Sequence, residues 1–139
     1  MLPSLQPDLA MTLAYACVLI AALLPYAWTM VAKSGGAKFD NREPRLWLEK
    51  QENPRVRRAD AAQKNAFEAF PAFAASVLMA QLAGVDAQRI GWLAAAFVVF
   101  RVLHGLFYVA NNHRMRSLVW FGGMGCVVTL FVSALLQAG

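Results

Sequence analysis

The sequence predicts an all-α membrane protein, a bundle of four transmembrane helices. Of its 139 residues, 59% are hydrophobic and only 15% are charged, whereas a soluble domain is typically about a quarter charged. The apolar residues lie in four long runs and do not alternate with polar ones. A run of about 20 apolar residues can cross a bilayer as a helix. We therefore predict a single membrane domain that covers residues 1–139.

The four predicted spans follow one another along the chain. The first run, residues 9–32, contains only mildly polar residues such as Thr12 and Tyr15. At about 1.5 Å per residue it extends over about 36 Å, which is enough to cross a bilayer with some tilt. The other three spans are expected at about residues 59–82, 89–110 and 118–136.

The connections between the spans differ in length and polarity. Loop one, residues 33–58, is the only long polar stretch. Gly35 and Gly36 are expected to end the first helix, and Asn53-Pro54 to precede the second. Within the loop, LWLEK (residues 46–50) is typical of a short interfacial segment lying at the headgroups. Loops two and three are short.

Basic residues are concentrated in two of the three loops. The amino-terminal segment and the carboxyl-terminal tail contain no Lys or Arg, and loop two has only Arg89. The positive-inside rule therefore places loops one and three in the cytoplasm and both termini outside. This topology and the attraction of anionic headgroups explain the net charge of +5, so no nucleic-acid partner is predicted.

Polar side chains occur at membrane depth in the last three spans, and all of them fall in the predicted cytoplasmic half. Ionisable groups there cost a few kcal/mol each, which makes them functional candidates. Helical spacing places each set on one face of its helix. The sets are Arg58, Asn65 and Glu68 in the second span, Arg101, His104 and Tyr108 in the third, and Arg116 with Ser117 at the start of the fourth.

The cations of this cluster outnumber its carboxylate. Arg58, Lys64, Arg101 and Arg116 face the single Glu68. This surplus predicts an anionic ligand that enters from the cytoplasm, with Glu68 available for an ammonium group. A small zwitterion with additional carboxylates fits both requirements.

Each residue also has a purely structural interpretation. Glu68 and Arg101 could form an ion pair that sets helix register, and Asn65 could bridge two helices. His104 could be a buried core residue, and Arg116 a headgroup anchor. No metal site is predicted, because the chain has two His and no Cys or carboxylate at ligand spacing around them.

Three segments carry a family resemblance. RRADAAQKNAFEAFP resembles the second-helix signature of the MAPEG family, the membrane-associated proteins in eicosanoid and glutathione metabolism. RVLHGLFY is similar to the third helix of that family, and RSLVW to the start of its fourth. The FDNREPR stretch of loop one resembles the short bacterial members. The resemblance covers nearly the whole chain, and the motifs occur in the order of the family.

The resemblance implies a homotrimer of four-helix bundles, with glutathione as co-substrate at the subunit interfaces, open to the cytoplasm. It implies that Arg116 is catalytic and lies beside the thiol. A nearby guanidinium lowers the pKa of a thiol from about 8.5 toward neutrality. The residues implied in glutathione binding are Arg58, Gln63, Asn65, Glu68, Arg101, His104 and Tyr108.

The function implied is that of a glutathione-dependent transferase or peroxidase of the inner (cytoplasmic) membrane. Its thiolate would attack hydrophobic electrophiles or reduce lipid hydroperoxides, with substrates that partition from the membrane lipids. The alternative is a non-catalytic trimeric protein of the same fold that binds lipid or stabilises partners. A small transporter is less well supported, because the chain lacks discontinuous helix pairs. The glycines at 122, 123 and 125 are instead predicted to allow close helix packing.

Two positions depart from the family pattern. Ala61 replaces an arginine of the human eicosanoid-forming members, so one carboxylate contact is either missing or made by Arg57, Arg58 or Lys64. Trp120 replaces an aromatic hydroxyl shortly after the Arg-Ser pair. The tryptophan argues against a phenol-assisted step at that position.

Overall fold

The protein is an all-α bundle, which confirms the predicted class. A computed structural model describes residues 3–139, and the first two residues of the predicted domain lie outside it. The described residues form five helices and no strand. The helices are α1 (Pro7–Lys33), α2 (Pro44–Glu49), α3 (Pro54–Leu82), α4 (Ala87–Val109) and α5 (His113–Ala138).

The four long helices coincide with the four predicted spans, but α3 and α5 each begin five residues earlier than predicted. The side chain of Asn53 accepts a hydrogen bond from the backbone N–H of Arg55 at 3.0 Å and caps α3. Asn112 caps α5 in the same way through the N–H of Met115 at 3.2 Å. Arg116 therefore lies within the first turn of α5 and not in the loop before it.

The short helix α2 accounts for the predicted interfacial segment of loop one. Trp47 is buried, and its indole N–H donates to the carbonyl of Lys38 at 2.8 Å. It packs in a small apolar cluster that includes Val56 of α3. In the same loop, Arg42 donates to the exposed Asp40 and holds the pKa of that carboxyl below its usual range. Loop one is thus anchored to the bundle by Trp47.

Three helices of the described chain are long and apolar enough to cross a membrane: α1, α4 and α5, with mean hydropathies of 2.0, 1.8 and 2.0. The helix α3 does not join them, because charged residues occupy its first half. The prediction of a fourth span in α3 therefore stays a prediction. The charged residues of that half are Arg55, Arg57, Arg58, Asp60, Lys64 and Glu68.

The helices pack so that α4 contacts α1, α3 and α5. Small residues of α1, including Ala14 and Ala21, lie in the core, and the rings of Phe73 and Phe97 stack with centroids 3.9 Å apart. We call the end where α1 ends and α5 begins the α2 end, and the other the opposite end. Because α3 begins and α4 finishes at the α2 end, their polar residues are brought to one level.

Candidate functional site

A cavity of about 340 Å³ opens at the α2 end between α3, α4 and α5. Its volume is within the range of small-molecule sites, about 300–1,000 Å³. Four of the predicted site residues line it, which brings three helices to one place. The lining residues are Asn65, His104, Tyr108, Arg116, Ser117, Trp120 and Phe121.

Stacking of side chains positions Arg116 at this cavity. His104 and Tyr108 are four residues apart and share one face of α4, with ring centroids 5.7 Å apart in an edge-to-face arrangement. The guanidinium carbon of Arg116 lies 4.3 Å from the centroid of the Tyr108 ring. This cation–π contact holds the cation against the wall. His104 itself is buried, at 3% exposure.

A hydrogen bond between α3 and α4 orients Asn65. Arg101 is buried, and its Nη2 donates to Oδ1 of Asn65 at 2.7 Å. A buried guanidinium requires such an acceptor. Since the carboxamide oxygen is used, the amide nitrogen of Asn65 is left to donate to a ligand. The structural interpretation of Asn65 as a helix bridge is therefore confirmed, and it is compatible with a binding role.

The anticipated ion pair between Glu68 and Arg101 does not form. Within residues 3–139 the only pairs closer than 4.0 Å are Arg42–Asp40 and Lys64–Asp60, and Glu68 is exposed. Arg101 uses Asn65 in its place. Glu68 has no cation within 4.0 Å in the described residues.

Arg58 is not among the residues that line the cavity. Its Nε donates at 3.0 Å to the carbonyl of Val109, the last residue of α4. The last carbonyls of a helix have no partner within the helix. Arg58 therefore ties the end of α4 to the second turn of α3, which supports the position of Tyr108 one residue earlier.

Gln63 and Lys64 lie on another side of α3. Successive residues of a helix are about 100° apart, so Gln63 points almost opposite to Asn65. Both line a second cavity of about 720 Å³. Lys64 forms an ion pair with Asp60 at 2.9 Å, so its inclusion among the surplus cations was wrong. Ala61 lines this second cavity too, beside Arg57.

Sequence reasoning missed one supporting contact, between Trp28 of α1 and Gly105 of α4. A Cβ at Gly105 would overlap the buried Trp28 ring, so only glycine allows α1 to approach here. Gly105 directly follows His104, so this packing lies next to a residue that lines the cavity. The glycine inside RVLHGLFY could have revealed this contact. Glycine destabilises a helix interior, so its presence there indicates close packing.

The predicted packing role of the glycines in α5 is confirmed for one of them. A Cβ at Gly122 would lie 2.6 Å from the Phe100 ring of α4, whereas Gly125 has no neighbour within 4 Å. Close contact at Gly122 brings α5 against the part of α4 that precedes Arg101. The aromatic residues Trp120 and Phe121, whose rings meet edge to face, then form the outer wall of the cavity.

The cavity has a positive charge and no carboxylate in its lining. Arg116 has no acidic partner within 4.0 Å in the described part of the chain. Residues 3–139 also contain no group of three or more His, Cys, Asp or Glu side chains that could hold a metal ion. The two cysteines, Cys17 and Cys126, are buried and free. The arrangement is therefore suited to an anion that approaches Arg116.

Comparison with known proteins decides the family. The model of the MAPEG family matches residues 13–136, nearly the whole chain. The chain belongs to the MAPEG family. The matched range includes every residue of the 340 Å³ cavity, which we call the MAPEG cavity from here on. No curated protein and no solved structure matched the chain.

Membership and structure together describe an integral membrane protein. MAPEG proteins are a membrane family whose members are glutathione transferases, peroxidases or related proteins. The three apolar helices of this chain agree with that setting.

Proposed function

We propose that this MAPEG protein binds glutathione as co-substrate and activates its thiol with Arg116. The observation that carries the proposal is the Arg116 guanidinium, held on the Tyr108 ring at the MAPEG cavity with no carboxylate beside it. An arginine in such a place stabilises a thiolate over a thiol. Membership in a family of glutathione transferases and peroxidases supports the same chemistry.

The reaction begins when the thiol loses its proton to water. The thiolate sulfur then forms a bond to an electrophilic carbon, and the leaving group departs with the electrons of the broken bond. With a lipid hydroperoxide, the thiolate sulfur attacks the terminal oxygen and the O–O bond breaks. The glutathione sulfur becomes a sulfenic acid, and the departing alkoxide takes a proton from water to give an alcohol. A second glutathione then converts the sulfenic acid to a disulfide and water.

The remaining residues of the MAPEG cavity suit the two substrates. The free amide N–H groups of Asn65 can hold a carboxylate of glutathione, with His104 and Tyr108 along the peptide. Trp120 and the exposed Phe121 give an apolar wall. Hydrophobic substrates partition from the bilayer, so an apolar wall beside the thiolate favours them.

We further propose that the protein is a homotrimer with loops one and three in the cytoplasm. Glu68 is exposed on α3 and Gln63 lies in a separate cavity. An unpaired carboxylate facing lipid is costly, so a neighbouring subunit is expected to cover this face. Contact between subunits would also bring Glu68 and Gln63 toward the glutathione of a neighbour.

Turnover of glutathione with 1-chloro-2,4-dinitrobenzene, a hydrophobic electrophile, tests this function. Arg116→Ala should lower kcat by about 100-fold, because it removes the charge that stabilises the thiolate, and should change glutathione affinity much less. Arg114→Ala is the matched control, since Arg114 is exposed on the same first turn and does not line the cavity. An assembled wild-type protein without turnover would favour the non-catalytic alternative.

A further inference from the structure

A larger cavity, of about 860 Å³, lies at the opposite end of the bundle between α4, α5 and the segment before α1. Arg89 and His104 are 15 residues apart on α4, which separates the two cavities by about 22 Å. This opposite-end cavity is therefore distinct from the MAPEG cavity. Its lining includes Gln88, Arg89, Trp92, Ala96, Val128 and Ser133.

The mouth of the opposite-end cavity carries an unneutralised cation. The Nη1 of Arg89 donates to the hydroxyl of the buried Ser133 at 3.5 Å. Asp86 is close in sequence, but its carboxylate caps α4 by accepting from the backbone N–H of Arg89 at 3.2 Å. No carboxylate lies within 4.0 Å of the Arg89 guanidinium in residues 3–139.

The segment before α1 is fastened across this mouth by Gln88. The backbone N–H of Leu5 donates to Oε1 of Gln88 at 2.6 Å, and Nε2 of Gln88 donates to the carbonyl of Leu5. Pro3 and Ser4 thereby become part of the lining. The mouth of the cavity is therefore polar, and two parts of the chain that are 83 residues apart in sequence form it.

Behind Arg89 the cavity becomes an apolar trough. Trp92 and Ala96 line it on α4, and Val128 and Val132 line it on α5 with exposures of 51% and 44%. Ala96 is two turns from Arg89, so the trough is about 10 Å deep. A cation at the end of an apolar trough is complementary to an anionic headgroup that carries an acyl chain.

We propose that the opposite-end cavity binds one anionic phospholipid of the adjoining membrane leaflet. Its phosphate would accept hydrogen bonds from the Arg89 guanidinium. It would supply the negative charge that residues 3–139 do not place beside Arg89. One acyl chain would lie along Ala96 and Val128. The indole of Trp92 would lie at headgroup level, where tryptophan is enriched in membrane proteins. Anionic lipids are attracted to such cations near the membrane surface.

Native mass spectrometry of the detergent-purified full chain tests this proposal, with dioleoylphosphatidylglycerol and dioleoylphosphatidylcholine as probes. The wild type should retain one phosphatidylglycerol per chain in preference to phosphatidylcholine. Arg89→Gln should weaken that binding about tenfold, because a charge-assisted hydrogen bond is lost, and Arg89→Lys should restore most of it. Arg55→Gln, which removes an exposed cation at the α2 end, should have no effect.

A second variant tests the trough separately from the charge. Ala96→Leu fills the trough and leaves Arg89 in place, so it should also weaken phosphatidylglycerol binding. If Arg89→Gln does not assemble, the binding measured with Ala96→Leu still tests the proposal. Helix content by circular dichroism confirms that each variant is folded.

Three results would overturn the proposal. Equal retention of the two lipids would show that Arg89 selects no charge. Displacement by glycerol phosphate at the same concentration as the lipid would show a site for free phosphate and no use of the trough. A change in oligomeric mass in Ala96→Leu would assign the cavity to a contact between copies of the chain.

Discussion

The aromatic ring of Tyr108, and not its hydroxyl, makes the contacts with Arg116 and His104 at the MAPEG cavity. Its ring receives the Arg116 guanidinium at 4.3 Å and meets His104 edge to face. Both contacts use the aromatic ring. We therefore infer that Tyr108 acts mainly by positioning Arg116 against the cavity.

Replacement of Tyr108 separates the ring from the hydroxyl. Tyr108→Leu removes a cation–π contact worth about 0.5–2 kcal/mol, and should lower kcat by roughly 2- to 30-fold. Tyr108→Phe keeps the ring and should stay near the wild-type rate. Steady-state kinetics with glutathione measures both. If the phenylalanine variant loses as much rate as the leucine variant, the hydroxyl and not the ring carries the effect.

At the residue level, the sequence predicted four of the side chains that line the cavity, but not that the other four predicted site residues would lie outside its lining. Helical spacing was sufficient to bring Asn65, His104 and Tyr108 together with Arg116. Spacing does not tell which of two neighbouring acceptors a buried arginine uses, so the choice of Asn65 over Glu68 by Arg101 required the structure.

The Lys64–Asp60 pair was accessible to sequence reasoning. Opposite charges four residues apart meet on a helix surface, and the structure shows this pair at 2.9 Å. The prediction counted Lys64 among the cations of the cluster because Lys64 is next to Asn65 in sequence. Adjacent residues on a helix do not share a face.

At the level of elements, the contact between α1 and α4 depends on Gly105. Gly105→Ala would place a Cβ in the Trp28 ring, so we expect it to destabilise the protein by about 1–3 kcal/mol through overpacking and to displace His104. Thermal unfolding in detergent and glutathione affinity are the measurements.

Gly125→Ala is the matched control for that substitution. Gly125 is inside α5 and has nothing within 4 Å of the added Cβ, so alanine should leave stability unchanged or raise it by up to about 1 kcal/mol. Equal destabilisation by both alanines would show that the Trp28 contact is not the cause. If Gly105→Ala had no effect on stability, the close contact with Trp28 would likewise be excluded as a stability determinant.

Helix boundaries were predicted to within five residues, and the two largest errors have a shared cause. Hydropathy marks where a chain becomes apolar, whereas helices begin at capping residues. Asn53 and Asn112 provide those caps before the apolar runs begin. The first five residues of α3 (54–58) and of α5 (113–117) were therefore placed in loops, although Asn followed by Pro at positions 53 and 54 was recognised as a boundary.

At the scale of the whole molecule, the outward face of α3 predicts an assembly. Glu68 and the small residues Ala72 and Ala75 are exposed on it, and small residues allow close approach of membrane helices. Ala75→Trp should dissociate the proposed trimer, because an indole cannot fit into such a contact. Light scattering after size exclusion gives the mass in detergent.

Val99→Trp is the control for the assembly experiment. Val99 is exposed on α4, where we expect lipid, so tryptophan should leave the oligomeric mass unchanged. A monomeric wild type, or a trimer that survives Ala75→Trp, would contradict this interface. In either case Glu68 would need a different partner.

The central claim is that Arg116 stabilises the thiolate of bound glutathione, and ultraviolet thiolate absorbance titrated against pH tests it most directly. With wild type and Arg114→Ala, we predict a thiolate signal near neutral pH, well below the value of about 8.5 for a free thiol. With Arg116→Ala, the signal should appear only at higher pH. An assembled wild-type protein that binds glutathione without a thiolate at neutral pH, or an Arg116→Ala variant with an unchanged titration, would contradict the account.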